Sequence, residues 1–316
     1  MGGARYGLMF AGQGAQQVGM GKALYDAYPL VRDLFAQAEE ASGLPLRDLC
    51  FDGPAERLTD TEVAQPALLT VDVAAWRVLE RESGCVPAAA AGLSLGEYAA
   101  LVAAGAVGFS DAVRLVRARG RLMQEAVPRG EGGMLAILGL DREVVEGLCR
   151  EAGGPNEVAP ANYNCPGQTV VSGRHAALAR VREAATAAGA RRAIPLEVSA
   201  PFHMTLLGPA REALRPLLGA IAWRAPAFPV VANLTAAQVP DAASIPDILA
   251  RQVDHAVDWE GTVRTMAGLG VDELVELGPG RALAGFAKRI VPGVPVRSVA
   301  APDDLRVVLE ASGGGW

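Results

Sequence analysis

The chain has 316 residues, 51% of them hydrophobic and 20% charged, with a formal net charge of −6 at pH 7. That length and apolar content fit a globular enzyme built as one large domain with an insertion, or as two domains. The acidic balance, with no dense basic block, excludes a general nucleic-acid binder. Four cysteines, at 50, 85, 149 and 165, form neither a CxxC pair nor a zinc-like cluster, so no metal site is expected and a reducing cytoplasm is the expected compartment. The longest apolar run, 99–109, is too short and glycine-broken to span a bilayer, and the first residues lack a signal-peptide layout; no membrane association is expected.

In chain order, "YGLMFAGQG" reads as a buried strand (6–10) running into a glycine turn. A helical pattern follows from about 19 to 41, broken near Pro29. The stretch 64–84 reads as an amphipathic helix stopped by Gly84. "PAAAAGL" is a short strand of small residues, and Ser94 lies at the strand-to-helix corner after it. A helix is expected over about 110–127, with Ser110 as its N-cap and Arg114, Arg117, Arg119 and Arg121 along it. Between 130 and 198 the pattern becomes strand-helix-strand-strand-helix-strand, the ferredoxin-like order, bounded by Gly- and Pro-containing joints. Beyond it come a helix (206–218), a strand at "FPVVANL", helices at 244–253 and 259–269, the strand "ELVELG" and a helix at 282–290. Strands alternating with helices predict an α/β core, a parallel sheet with helices on both faces, formed by 1–128 and 199–316, with an inserted α+β subdomain at 129–198. The closing "SGGGW" reads as a flexible tail.

"GLSLGE" (92–97) matches G-x-S-x-G. At such a corner the serine hydroxyl projects from the sheet edge, the glycines permit close backbone approach, and the helix N-terminus offers N–H groups to an oxyanion. The bare pattern also fits an ordinary turn. A serine nucleophile needs a base, and the only histidines are His175, His203 and His255. His175 opens a subdomain helix and His255 suits a surface turn. His203, after a strand and before a helix, lies where parallel sheets carry their sites, and by elimination is the better base. Asp254 and Asp258 could orient a histidine but flank His255; a backbone carbonyl is the other possible orienter.

Eight stretches coincide in order: "FAGQGAQQVGMG", "AQPALLT", "GLSLGEYAALVAAG", "VRLVRARGRLMQEA", "NYNCPGQTVVSG", "VSAPFH", "RQVDHAVDW" and "ELGPGRAL". Together they resemble the malonyl-CoA:acyl-carrier-protein transacylase family, including the discrete acyltransferases of polyketide synthesis, over about residues 5–300. The resemblance implies a hydrolase-like core with a ferredoxin-like insertion, Ser94 as the acylated nucleophile and His203 as its base. It implies an oxyanion hole from the N–H groups of Gln13 and Leu95, and the Gln252 carbonyl orienting His203. Arg119 matches the family's carboxylate-binding arginine, whose guanidinium fork can grip a malonyl carboxylate and leave acetyl-CoA poorly accepted. Met123, one turn on, would line the same pocket.

Phe202 resembles the malonyl-selecting variants, a ring that would crowd a methyl on the malonyl C2. Asn162 and Gln168 are expected on a subdomain strand facing the cleft. Arg191, Arg192, Lys288 and Arg289 match basic positions expected to dock an acidic carrier protein. Leu93 stands where many members have His, and Ala11 where proline is usual. The implied reaction moves a malonyl group from malonyl-CoA to the phosphopantetheine thiol of an acyl carrier protein through malonyl-O-serine. No cofactor is held permanently, the partners are malonyl-CoA and the carrier, and the family implies a monomer. Three alternatives stay open: a serine esterase or thioesterase, a discrete polyketide acyltransferase using a substituted malonyl-CoA, and an inactive carrier-binding scaffold.

Overall fold

The computed structural model describes residues 5–128, 130–198 and 200–311. The Ser312–Trp316 segment, expected to be a flexible tail, lies outside them.

Strand β1 (Tyr6–Phe10) is buried at every position and leads to helices α1 (Lys22–Ala27) and α2 (Pro29–Ser42), which part at Tyr28 because Pro29 opens the second. Two short helices that the sequence pattern missed, α3 (Leu46–Asp52) and α4 (Ala55–Thr59), precede α5 (Thr61–Ser83). Then come β2 (Ala89–Gly92), α6 (Gly96–Ala103) and α7 (Phe109–Glu125). The following stretch supplies β3 (Gly132–Leu138), α8 (Arg142–Glu151), β4 (Val158–Cys165), β5 (Gln168–Arg174), α9 (His175–Ala187) and β6 (Arg192–Pro195). Next are α10 (Gly208–Gly219), the two-residue strands β7 (Val231–Ala232) and β8 (Ala237–Gln238), α11 (Ile245–Gln252) and β9 (Val257–Asp258). The chain closes with α12 (Trp259–Gly268), β10 (Glu273–Leu277), α13 (Ala282–Ile290), β11 (Val296–Val299) and α14 (Pro302–Ala311), the last strand and helix being further elements the pattern did not flag.

The core sheet is parallel, in the order β11-β10-β1-β2, and a lone parallel bridge from Ala90 to Val230 extends it. Side chains alternate across it. Tyr6, Leu8 and Phe10 join the cluster containing Leu68, Trp76 and Tyr98 from α5 and α6, while Met9 joins Trp259, Met266 and Leu283 from α12 and α13. Both faces are therefore covered by helices, as a parallel sheet requires. Helix α5 is buried nearly all round rather than amphipathic, since α2, α6 and α7 all pack on it. Its end is as expected: Gly84 adopts φ 66° and its N–H bonds the Glu80 carbonyl.

The second sheet runs β6-β3-β5-β4 with antiparallel pairings, and α8 and α9 share one hydrophobic cluster beneath it. A fifth strand joins from outside the expected insertion: β9 pairs parallel with β4, Asn162 opposite Val257 and Tyr163 opposite Asp258. The proposed division at 129–198 is thus bridged by backbone pairing between the two parts. Two local expectations are corrected. Gly108, not Ser110, is the N-cap of α7, and Ser110 sits inside the first turn. The strand expected at "FPVVANL" shrinks to Val231–Ala232, because the next N–H, that of Asn233, donates to the Glu97 carboxylate instead of a strand neighbour. Among the described residues no helix is long and apolar enough to cross a membrane.

Candidate active site

The site forms where β1, β2 and β10 end, on the carboxyl edge of the parallel sheet. Ser94 occupies the corner between β2 and α6 with φ 54°, a left-handed backbone that turns the chain sharply. Both flanking glycines are forced. A Cβ on Gly92 would lie 1.9 Å from the Gly96 backbone, and one on Gly96 would lie 2.3 Å from the Phe10 carbonyl oxygen. The corner is that tight because α6 begins directly against β1. The backbone N–H groups of Gln13 and Leu95, each beside a strand end, find no acceptor among the described residues.

Ser94 Oγ lies 2.7 Å from His203 Nε2. His203 also has a left-handed backbone, φ 59°, and its Nδ1 lies 2.9 Å from the Gln252 main-chain carbonyl. A carbonyl can only accept, so Nδ1 carries the proton and Nε2 is free to take one from the serine. Burial and the neighbouring Arg119 push the His203 pKa down to about 4, which keeps the imidazole neutral, as a base must be.

Arg119, on α7, is 1% exposed. Its Nη2 donates to Ser94 Oγ at 3.1 Å and to Gln252 Oε1 at 2.9 Å, and its Nη1 donates to Gln65 Oε1 at 2.9 Å. Burial lowers its pKa, but its partners are neutral oxygens and the charge has no carboxylate bonded to it. Helix α7 can come this close because Gly120 has no side chain: a Cβ there would meet the Thr61 carbonyl at 2.4 Å. Met123 is buried one turn along α7, its sulfur 3.8 Å from Gln65 Nε2. Phe202 is buried beside His203 in the main cluster, and Asn162 is buried on β4. Gln168 lies at the start of β5, with its Oε1 3.5 Å from Arg289 Nη1.

The other expected residues bond elsewhere. His175 opens α9 on the surface, and the His255 ring bonds the Arg251 carbonyl and Asp254 Oδ1. Asp258 caps α12 through the Gly261 N–H. No aspartate therefore orients His203; the carbonyl does. Arg192 lies exposed on edge strand β6 beside Arg191, and Lys288 is exposed on α13. Arg289 also donates to the Pro166 carbonyl, tying α13 to the β4–β5 turn.

Sequence reasoning missed three residues and half of a fourth. Asn233 holds the serine corner at two points: Oδ1 accepts the Ser94 N–H at 2.6 Å, and Nδ2 donates to the Gly92 carbonyl at 2.9 Å. Gln65 carries Arg119. Glu97, next to the serine pattern, is fully buried, and burial pushes its pKa up to about 7. The side chain of Gln252, beyond its carbonyl, donates to the Ser94 carbonyl at 3.0 Å and to Glu97 Oε2 at 2.7 Å. Two of these stood in stretches already singled out, Gln65 in "AQPALLT" and Glu97 in "GLSLGE"; a polar residue within an apolar helical run was the available signal. Nothing local marked Asn233.

A hydroxyl between a neutral imidazole and a buried guanidinium that has no carboxylate bonded to it suits acyl transfer of an anionic acyl group. Comparison with known proteins agrees. The acyl transferase domain family matches residues 8–288. The chain is 46% identical over 305 residues to the malonyl CoA-acyl carrier protein transacylase of Salmonella typhimurium, covering 96% of this chain and 99% of that one. It also resembles the acyl carrier protein S-malonyltransferase of Vibrio cholerae in fold, with a TM-score of 0.94 at 42% identity over 96% of this chain and 100% of that one. A malonyl transacylase solved with its type II polyketide-synthase carrier protein matches with a TM-score of 0.95 at 43% identity, covering 98% and 100%. These relatives are transferases, and Ser94 is bonded to His203 while the His255 ring bonds Arg251 and Asp254, so the esterase alternative is not favoured. The chain belongs to the acyl transferase family of malonyl-CoA–acyl carrier protein transacylases.

Proposed function

We propose that this protein transfers a malonyl group from malonyl-CoA to the phosphopantetheine thiol of an acyl carrier protein, through a malonyl ester on Ser94. The observation that carries the reading is the position of Ser94 Oγ, 2.7 Å from His203 Nε2 and 3.1 Å from Arg119 Nη2. The relatives' names support malonyl-CoA and the carrier as partners.

In the first half-reaction His203 Nε2 takes the Ser94 proton while Oγ bonds to the thioester carbonyl carbon. The Gln13 and Leu95 N–H groups receive the developing oxyanion, each such donor being worth roughly 10²–10³ in rate. The C–S bond then breaks and His203 returns its proton to the departing coenzyme A sulfur. The malonyl carboxylate, two carbons beyond the ester carbonyl, folds back onto the Arg119 fork and displaces its contact with Oγ. In the second half-reaction the carrier thiol gives its proton to His203, sulfur attacks the ester carbonyl, and Ser94 regains the proton as its C–O bond breaks. The CoA thioester supplies the activated acyl group, so the cycle needs no resident cofactor. Phe202, packed beside His203, would disfavour a C2 methyl by about 1–3 kcal/mol. We place the enzyme in the cytoplasm, in keeping with its four unpaired, buried cysteines, and take it as a monomer on the family resemblance alone.

Intact-mass measurement after mixing with malonyl-CoA tests this. The expected result is one malonyl adduct that disappears when holo carrier protein is added and reappears on the carrier, with Ser94→Ala giving no adduct. Release of free malonate without carrier acylation would overturn transfer, and an adduct on Ser94→Ala would overturn the nucleophile.

A further inference from the structure

The serine, the histidine and the arginine are held by one buried carboxyl group that touches none of the reacting atoms. Glu97 Oε2 accepts the Asn233 backbone N–H at 3.0 Å and Gln252 Nε2–H at 2.7 Å. Apart from the Gln65 contact to Arg119, the side-chain bonds that fix the three residues pass through those two partners. Asn233 holds the Ser94 N–H and the Gly92 carbonyl; Gln252 holds the Ser94 carbonyl, Arg119 Nη2 and, by its own main-chain carbonyl, His203 Nδ1. Ser94 and His203 both sit in the left-handed region, where a non-glycine residue stays only if its surroundings hold it. The other carboxyl oxygen, Glu97 Oε1, is buried with no hydrogen-bond partner. An orphaned buried oxygen is destabilising, so the carboxyl is poorly explained as a device for stability alone.

We propose that Glu97 is a positioning residue for the transfer reaction: by bracing Asn233 and Gln252 together, its Oε2 sets the Ser94–His203 distance and the reach of Arg119. The proposal rests on the reading of Ser94 and His203 as the reacting pair. What it requires of residue 97 is an acceptor at the right reach, not a charge. Glutamine keeps that reach, its amide oxygen accepting both N–H groups. Aspartate keeps the charge but retracts the acceptor by one carbon–carbon bond. The two substitutions therefore separate bracing from charge.

The test uses full-length protein and two readouts: steady-state malonyl transfer, and the rate at which a small alkyl fluorophosphonate labels Ser94, which needs the serine–histidine geometry but no malonyl contact. For Glu97→Asp the expected result is a fall of about 10²-fold in kcat and a comparable fall in labelling rate, the scale of an ångström-sized misplacement. KM for malonyl-CoA should change far less. Glu97→Gln should recover both rates to within about threefold of the parent, well inside that scale. Parental rates in Glu97→Asp, equal loss in a folded Glu97→Gln, or a loss confined to KM would each overturn the proposal. Should Glu97→Asp fail to fold, Gln252→Met removes the braced amide and keeps the main-chain carbonyl. It should slow labelling to a similar degree, and a parental rate there would overturn the brace. Ser94→Ala keeps the two ideas apart, since labelling that persists in it removes the nucleophile itself, whatever Glu97 does.

Discussion

In the proposed reaction Arg119 is the residue that selects the acyl group. It is buried, bonded to Gln65, Gln252 and Ser94, and carries a charge that no bonded carboxylate neutralises. An acyl chain ending in a carboxylate completes the set with two charge-assisted bonds; an acetyl group leaves the guanidinium as it stands. Arg119→Ala is expected to lower kcat/KM for malonyl-CoA by about 10²–10⁴-fold, from the roughly 2–5 kcal/mol attached to one partner of a buried charge pair. Acetyl transfer should hold or rise. Parallel rate measurements with the two thioesters check this, and unchanged selectivity would remove the clamp from the mechanism. The sequence pointed to Arg119 only through its match to a family motif, because an arginine on a helix is ordinarily solvated; burial distinguishes it from Arg114 and Arg121 on the same helix.

At the scale of an element, α5 shows how far packing outruns local pattern. Its outer turns carry Arg77, Glu80, Arg81 and Glu82, yet Asp72 in its middle is fully buried and neither of its carboxyl oxygens has a hydrogen-bond partner. Burial, then the nearby Glu276, hold the Asp72 pKa well above the ordinary 3.8. The native state therefore keeps a proton that the unfolded chain gives up above pH 4, and stability declines as pH rises through that window. Asp72→Ser removes the unpartnered group and can return its hydroxyl to the preceding helical turn, as Thr70 does to the Pro66 carbonyl. It is expected to stabilise the protein by about 1–3 kcal/mol, with the gain larger at pH 8 than at pH 5. Thermal melts at both pH values check the sign, and a gain that shrinks as pH rises would contradict it.

For the whole molecule, the decisive feature is that the inserted stretch is tied to the later part of the chain by the β4–β9 pairing and by Arg289 at the β4–β5 turn. Arg192 and Lys288 are exposed, which is what docking of an acidic carrier on this face would need, whereas Arg289 is engaged within the chain. The double substitution Arg192→Glu/Lys288→Glu is expected to raise KM for the carrier about tenfold or more at low salt. The difference should narrow as ionic strength rises, since exposed charges are screened beyond about 8–10 Å at 0.10–0.15 M salt. Formation of the malonyl adduct from malonyl-CoA should proceed at the parental rate. Stopped assays of each half-reaction against salt check this, and an unaltered carrier KM would move docking elsewhere.

From the sequence by itself came the α/β class, the strand-helix order of the stretch between 130 and 198, the serine corner, and His203 as the better of three histidines. These were legible because they rest on local physics: period-2 and period-3.6 patterning, glycines where backbones must touch, and a helix starting behind a strand. The short helices α3 and α4 and the final strand and helix carried too little periodicity to be read. Tertiary structure alone decided what surrounds the hydroxyl. Asn233 and Gln252 reach Ser94 across 139 and 158 residues of chain, and Gln65 reaches Arg119 across 54. Contacts at such separations leave no periodic trace in the chain, because each exists only after sheet, helices and loops have brought distant backbones to one point.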